Sequence, residues 1–71
     1  MDFRTYLEDM MVINHPCSIR FRADNGAVAT IEARITDLYR DNEEEFIMTD
    51  RGIRIRLDDL RSVGDRSPDM V

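Results

Sequence analysis

Residues 17–38 read Cys-Ser-Ile-Arg-Phe-Arg-Ala-Asp-Asn-Gly-Ala-Val-Ala-Thr-Ile-Glu-Ala-Arg-Ile-Thr-Asp-Leu. In the first half, isoleucine, phenylalanine and alanine alternate with serine and arginine, as expected of a strand with one buried and one solvated face. The Asp-Asn-Gly sequence at 24–26 can supply the positive φ angles that tight turns require. The stretch therefore predicts a β-hairpin with strands at 18–23 and 27–37.

The second strand of this hairpin has an unusual inner face. At about eleven residues it is long for so small a protein. Its inward positions include Ala27, Ala29 and Ala33, whose small side chains suit the inner corner of a strongly bent strand. We therefore expect this strand to serve two sides of a small barrel.

The remainder of the chain contains shorter elements. Polar residues at 39–45 predict a loop, and the flanking sequence places a third strand at 45–49. Alternating isoleucine, arginine and leucine predict a fourth strand at 53–57, and a short fifth strand follows at 60–63. Residues 64–71 are predicted to be a flexible C-terminal tail.

The N-terminal segment predicts an amphipathic helix over residues 2–13. Asp2 is placed to act as the N-cap, and Pro16 prevents the helix from continuing far beyond this range. Five apolar residues recur at helical spacing and form one face: Phe3, Tyr6, Leu7, Met10 and Met11. A helix with such a face must cover another element, and a sheet is the available one.

These elements define the expected fold. Five antiparallel strands with short links expose their edges unless the sheet curls and closes. The sequence therefore predicts one α+β, mostly β domain over residues 1–63, in which the helix packs on a small, strongly bent five-stranded antiparallel barrel. Among helix-first barrels of five strands the Sm-like fold is the natural assignment, and an open sheet with one helix is the alternative.

Length and composition limit the class of protein. The chain has 71 residues, 42% of them hydrophobic, and a single cysteine. This is enough for one compact core, and it allows no internal disulfide or cysteine-based zinc site. Because we find no signal peptide and no apolar run long enough to span a bilayer, we expect a cytoplasmic protein that does not interact with membranes.

Few residues are suited to catalysis or metal binding. His15 and Cys17 lie two residues apart in an extended stretch, so their backbones are separated by about 6–7 Å, and no orienting group accompanies them. Asp58 and Asp59 are adjacent and would point to opposite faces of a strand, which does not make a carboxylate dyad. We therefore expect no enzyme, no metal, no cofactor and no small-molecule substrate.

The charges favour a basic partner. The chain has 15 acidic and 10 basic residues, a net charge of −5, and all ten basic residues are arginine. A net acidic domain is a poor non-specific binder of nucleic acid, whose affinity depends on phosphate neutralisation. It is better suited to a basic protein surface.

A group of arginines allows an alternative. They project from the outer faces of the first and fourth predicted strands: Arg20, Arg22, Arg54 and Arg56. If the two strands are close, these side chains form a basic stripe that can contact RNA phosphates. An Sm-like RNA-binding module is therefore the second reading, and a protein-binding domain of this fold with another partner is the third.

Residues 17–63 resemble the Rho-binding antiterminator (Rof) family in the order and spacing of several short motifs. The motifs are Cys17, Asp24-Asn25-Gly26, Asp37-Leu38, Glu45-Phe46-Ile47 and Arg56-Leu57-Asp58-Asp59-Leu60. The resemblance implies an Sm-like barrel with an N-terminal helix. It also implies binding to the RNA-binding domain of the transcription termination factor Rho, which would block access of RNA and reduce termination, without direct contact to nucleic acid.

This mechanism would require carboxylates where phosphates otherwise bind. The candidate contact residues lie on the helix and in the polar loop: Asp2, Glu8, Asp9, Asp41, Glu43 and Glu44.

Overall fold

The computed structural model describes residues 2–68 and begins with the predicted N-terminal helix. Helix α1 spans Phe3–Ile13. Asp2 is its N-cap, and the Asp2 carboxylate accepts a hydrogen bond of 2.8 Å from the backbone N–H of Thr5. Asn14 ends the helix with a left-handed backbone (φ 60°), and its N–H donates to the Met10 carbonyl. Within residues 2–68, no helix is long and apolar enough to cross a membrane.

Six strands follow the helix in two antiparallel sheets. They are β1 (Cys17–Arg22), β2 (Val28–Ala33), β3 (Ile35–Asp41), β4 (Glu44–Thr49), β5 (Arg54–Arg56) and β6 (Leu60–Val63), with a short 3₁₀ helix at Leu57–Asp59 between the last two. The strand order is β2-β1-β6 in the first sheet and β3-β4-β5 in the second. The molecule is thus a small α+β domain.

Residues 2–68 contain six strands, and the prediction of five was wrong because the strand expected at 27–37 is divided at Arg34. The Arg34 N–H donates to the Asp50 carboxylate (3.0 Å), and the Arg34 carbonyl accepts from the Asp50 N–H (3.0 Å). These two bonds take the main chain of Arg34 out of the ladder. The chain then passes from one sheet to the other.

The polar loop predicted at 39–45 was also wrong, since most of this range belongs to a β-hairpin. Strands β3 and β4 pair as far as Asp41 and Glu44, and only two residues connect them. These are Asn42 and Glu43, with φ of 54° and 68°. Positive φ at both positions is the geometry of a two-residue turn whose twist matches the flanking strands. The end of the hairpin escapes a pattern search because all residues from Arg40 to Glu45 are polar.

The core lies between the helix and the inner faces of both sheets. The alternation predicted for β1 buries Cys17 and Ile19, and Ile19 lies opposite Ile31 on β2 and Val63 on β6. The largest fully buried side chains of residues 2–68 are aliphatic, and burial of each contributes about 1.5–3 kcal/mol. They come from all parts of the chain: Leu7, Ile19, Ile35, Ile47 and Val63.

The residues just after β6 turn back onto the domain. The Gly64 N–H donates to the Ser18 carbonyl (2.8 Å), and the Val63 N–H donates to the Arg66 carbonyl (2.8 Å). The Tyr6 hydroxyl donates to the Val63 carbonyl (2.9 Å), which links α1 to β6. Part of the predicted tail at 64–71 is therefore hydrogen-bonded to β1 and β6, and its last three residues lie outside the described residues.

Candidate functional site

An ion pair brings the acidic part of the helix to the acidic hairpin. Arg4 Nη1 lies 2.6 Å from Glu45 Oε2, and Arg4 Nε lies 3.9 Å from Glu8 Oε1. Glu8 on α1 and Glu45 on β4 therefore share one guanidinium, although 37 positions separate them in the sequence. The β3–β4 turn extends this surface because it directly precedes β4, the strand that carries Glu45.

A shallow groove of about 230 Å³ continues the surface towards the 3₁₀ helix. Leu57 and Arg56 form part of its lining, and the rest is acidic. We name the combined surface the acidic edge, defined by Glu8, Glu43, Glu44, Glu45 and Asp58. The sequence did not predict roles for Glu45 and Asp58, whose proximity depends on the pairing of β3 with β4 and on the 3₁₀ helix.

Two of the predicted helix acids lie elsewhere. The Asp2 carboxylate caps α1, and this hydrogen bonding with Thr5 lowers the pKa of Asp2 below its ordinary value. Asp9 is about 140° around the helix from Arg4, at 3.6 residues per turn. Of the three helix candidates, only Glu8 therefore belongs to the acidic edge.

Three of the four predicted arginines line a second feature, a cleft of about 630 Å³ between the β1–β2 turn and β5. Arg22 Nη2 lies 3.0 Å from Asp59 Oδ1, and Arg56 Nη1 lies 2.9 Å from Glu44 Oε1. Arg56 Nε lies 3.6 Å from Asp59 Oδ2, too far for a hydrogen bond. This nitrogen is buried and has no hydrogen-bond partner within residues 2–68.

The third arginine of this cleft covers an aromatic ring. The Arg54 guanidinium carbon is 4.3 Å from the centre of the Phe46 ring, within the range of a cation–π contact. Phe46 stacks on Tyr39 with ring centres 5.7 Å apart. Arg54 Nη1 also lies 3.9 Å from the carboxylate of Asp41, another predicted contact residue. The stack follows from the short β3–β4 turn, which places these two rings directly opposite each other.

Charges of both signs line the cleft, because three acidic residues accompany the three arginines. The acids are Asp24, Glu44 and Asp59, and the arginines are Arg22, Arg54 and Arg56. Arg20 lies on the outer face of β1, opposite Thr30 and Ser62, and does not line the cleft. The predicted basic stripe is thus divided, and its larger part is paired with carboxylates.

The single cysteine has a structural environment. Cys17 is buried, and its thiol donates to the Ala33 carbonyl at 3.5 Å. Burial raises the pKa of this thiol above its ordinary value, which favours the neutral form and disfavours the nucleophilic thiolate. Within residues 2–68, no three His, Cys, Asp or Glu side chains are grouped so that they could hold a metal ion.

Comparison with models of protein families, with curated proteins and with solved structures gave no match.

Proposed function

We propose that this protein is an interaction module of the kind that the Rho-binding antiterminators represent. Its acidic edge binds the RNA-binding domain of the termination factor Rho, occupies the basic surface that RNA would use and so reduces termination. The ion pair between Arg4 and Glu45 carries this proposal, because it joins Glu8 of α1 and the acids of the β3–β4 hairpin into one surface.

The charge distribution within the edge supports this proposal. Within residues 2–68, the recorded ion pairs leave Glu43 and Asp58 without an arginine. Both residues are exposed, so their carboxylates are available to the arginines or lysines of a partner. Charges arranged in this way accelerate association with a basic surface and exclude acidic partners.

The strand arrangement supports the finer part of the fold assignment, an Sm-like barrel. The chain passes from β2 to β3 with only Arg34 between them, so one bent stretch contributes to both sheets. The last strand, β6, returns to pair with β1. An N-terminal helix followed by such a bent, returning meander is the arrangement that the family resemblance implies.

The ion pairs of the candidate arginines make the RNA-binding alternative less favourable than the binding of a basic protein. Carboxylates lie within 4 Å of three of the four candidates: Arg22, Arg54 and Arg56. An RNA phosphate would have to displace these carboxylates, and the protein as a whole carries a net charge of −5. A different basic protein remains the other partner class, and a direct titration separates it from Rho.

The test is calorimetric titration of purified Rho with the wild-type protein and two charge-matched double variants. Glu43→Lys with Asp58→Lys reverses the two unpaired acids of the acidic edge. Glu32→Lys with Asp65→Lys makes the same change in net charge on β2 and after β6. We expect salt-sensitive binding by the wild type, weakened about tenfold or more by the first pair and about twofold or less by the second.

Two results would contradict the proposal. One is the absence of heat of binding to Rho at low salt. The other is an equal loss of affinity in both double variants, which would assign the effect to net charge and not to the acidic edge.

A further inference from the structure

Strand β5 has one unpaired edge. In the sheet β3-β4-β5 it is the last strand, and among residues 2–68 its one neighbouring strand is β4. The Thr49 N–H donates to the Ile53 carbonyl (3.1 Å), so Ile53 directs its backbone bonds towards β4. Because these bonds alternate along an antiparallel strand, Ile55 does the same, and the N–H groups of Arg54 and Arg56 point to the unpaired edge.

This edge opens into the cleft between β5 and the β1–β2 turn. The cleft has a volume of about 630 Å³, and an adjoining cavity of about 190 Å³ reaches the apolar side chains of Phe21, Ile53 and Ile55. A strand beside β5 would lie about 4.8 Å from it. It would have apolar side chains beneath its middle residue and arginines beside the two flanking ones.

We propose that this cleft binds an extended segment of a partner protein with the pattern acidic–apolar–acidic, which adds antiparallel to β5 as a fourth strand of the sheet. The two acidic residues lie opposite Arg54 and Arg56 and exchange backbone hydrogen bonds with them. The apolar residue lies opposite Ile55 and faces Phe21 and Ile53. This second docking site adjoins the acidic edge, because Glu44 and Arg56 line both surfaces, but it does not require binding to Rho.

The contacts of the two arginines leave room for these acidic residues. The ion pair of Arg54 with Asp41 is long (3.9 Å), and both side chains are more than half exposed. Such a pair contributes little to stability and can exchange with a partner's carboxylate. Arg56 Nη1 lies 2.9 Å from Glu44 Oε1, and the Arg56 side chain is 36% exposed, so an incoming carboxylate would share this guanidinium with Glu44.

The balance of charges favours a peptide over a free anion or nucleic acid. Three acids line the cleft with its three arginines, and together they offer no net positive charge to a phosphate. A peptide strand gains its affinity from main-chain hydrogen bonds, and its side chains add specificity. This chemistry requires an unpaired strand edge and does not require a net charge.

The test is an NMR titration of isotope-labelled protein with the capped peptide Ser-Glu-Val-Glu-Ser and the matched peptide Ser-Lys-Val-Lys-Ser. We expect saturable shifts of the Arg54 and Arg56 amides with the glutamate peptide at concentrations up to about 1 mM. The lysine peptide should leave these amides unchanged. Methylation of both glutamate backbone nitrogens should weaken binding about tenfold or more, whereas methylation of the valine nitrogen should change it about twofold or less.

Variants of the protein test the arginine contacts. Arg54→Ala should weaken binding of the glutamate peptide by a factor of about two to five, and Arg20→Ala, on the other sheet, should not. Three outcomes would overturn the proposal: equal binding of both peptides, shifts that map away from β5, or sedimentation as a dimer with the Arg54 and Arg56 amides already protected. In the dimer, a second copy of the chain would occupy this edge.

Discussion

Arg4 Nη1 lies 2.6 Å from Glu45 Oε2, so the first turn of α1 is joined to the beginning of β4. The two side chains are 49% and 30% exposed, and a pair of this kind contributes about 0–1 kcal/mol to stability. Its main consequence is electrostatic, since it brings Glu8 beside the hairpin acids and partly neutralises both.

Replacement of Arg4 should therefore lower the stability of the fold slightly and increase the rate of binding to Rho. Arg4→Gln removes the positive charge and makes the acidic edge more negative. We expect the free energy of unfolding to fall by about 1 kcal/mol or less in urea, and the association rate with Rho at low salt to rise. Arg20→Gln makes the same charge change on the outer face of β1 and is the control. A slower association for Arg4→Gln than for Arg20→Gln would show that Arg4 itself contacts the partner.

The β3–β4 turn should tolerate glycine better than its present residue. Glu43 has φ of 68°, a left-handed conformation that costs a residue with a Cβ about 1–2 kcal/mol. Glu43→Gly should raise the free energy of unfolding by about 1 kcal/mol. Glu43→Ala removes the same carboxylate without relieving the backbone and should give no such gain. Equal urea midpoints for the two variants would contradict this account of the turn.

Substitutions at the contact between α1 and the end of β6 should have non-additive effects on the free energy of unfolding. A Cβ at Gly64 would lie 2.9 Å from the Tyr6 hydroxyl, and Gly64 has φ of 62°. Gly64→Ala should cost about 1–2 kcal/mol from the backbone alone, with a further cost from the displaced hydroxyl. Tyr6→Phe should cost about 1 kcal/mol, because the Val63 carbonyl loses the Tyr6 hydroxyl and retains one donor, the Arg66 N–H at 3.2 Å.

The double variant decides whether the two effects are coupled. Removal of the hydroxyl also removes the atom that the new Cβ would meet, so Gly64→Ala should cost less in the Tyr6→Phe background. Urea unfolding of the four proteins measures this coupling, which we expect to be about 0.5 kcal/mol or more. Strictly additive costs would contradict the close approach of Tyr6 to Gly64.

The N-cap should make stability depend on pH in the acid range. The hydrogen bonds from Thr5 lower the pKa of Asp2 in the folded protein, so this carboxylate contributes stability above its unfolded pKa of about 3.9. The contribution is lost as the pH falls through the lower folded pKa. Asp2→Asn retains a good N-cap that does not titrate.

Urea midpoints measured at a series of acidic pH values test this prediction. The wild type should lose more stability on acidification than Asp2→Asn, and Glu32→Gln, which alters a carboxylate that caps no helix, should follow the wild type. Parallel curves for the wild type and Asp2→Asn would show that the cap does not contribute to acid sensitivity.

The sequence predicts the local parts of the fold and misses those that depend on distant residues. The amphipathic face of α1 and the alternation of β1 arise from short-range periodicity, and the helix and this strand are present. The division of the long strand at Arg34 depends on hydrogen bonds to Asp50, which no local pattern indicates. Residues 40–45 show no apolar alternation, so the sequence predicts a loop at 39–45, where the ends of β3 and β4 pair.

The candidate site divides in the same way. The acid excess of the helix and the hairpin can be counted in the sequence, but the bridge from Arg4 to Glu45 requires the folded arrangement. Arg22 and Arg56 looked like a basic stripe because Asp59 approaches them only when the 3₁₀ helix folds beside β1 and β5. The pairing of these arginines with carboxylates therefore cannot be predicted from the sequence alone.

The most direct test of the central claim is displacement of RNA from Rho. A fluorescent single-stranded RNA is bound to Rho at low salt, and its anisotropy is followed as the protein is added. We predict that the wild type releases the RNA in a saturable manner, and that Glu43→Lys with Asp58→Lys needs a roughly tenfold higher concentration. Anisotropy that stays unchanged throughout the wild-type titration would contradict the claim that the acidic edge competes with RNA for Rho.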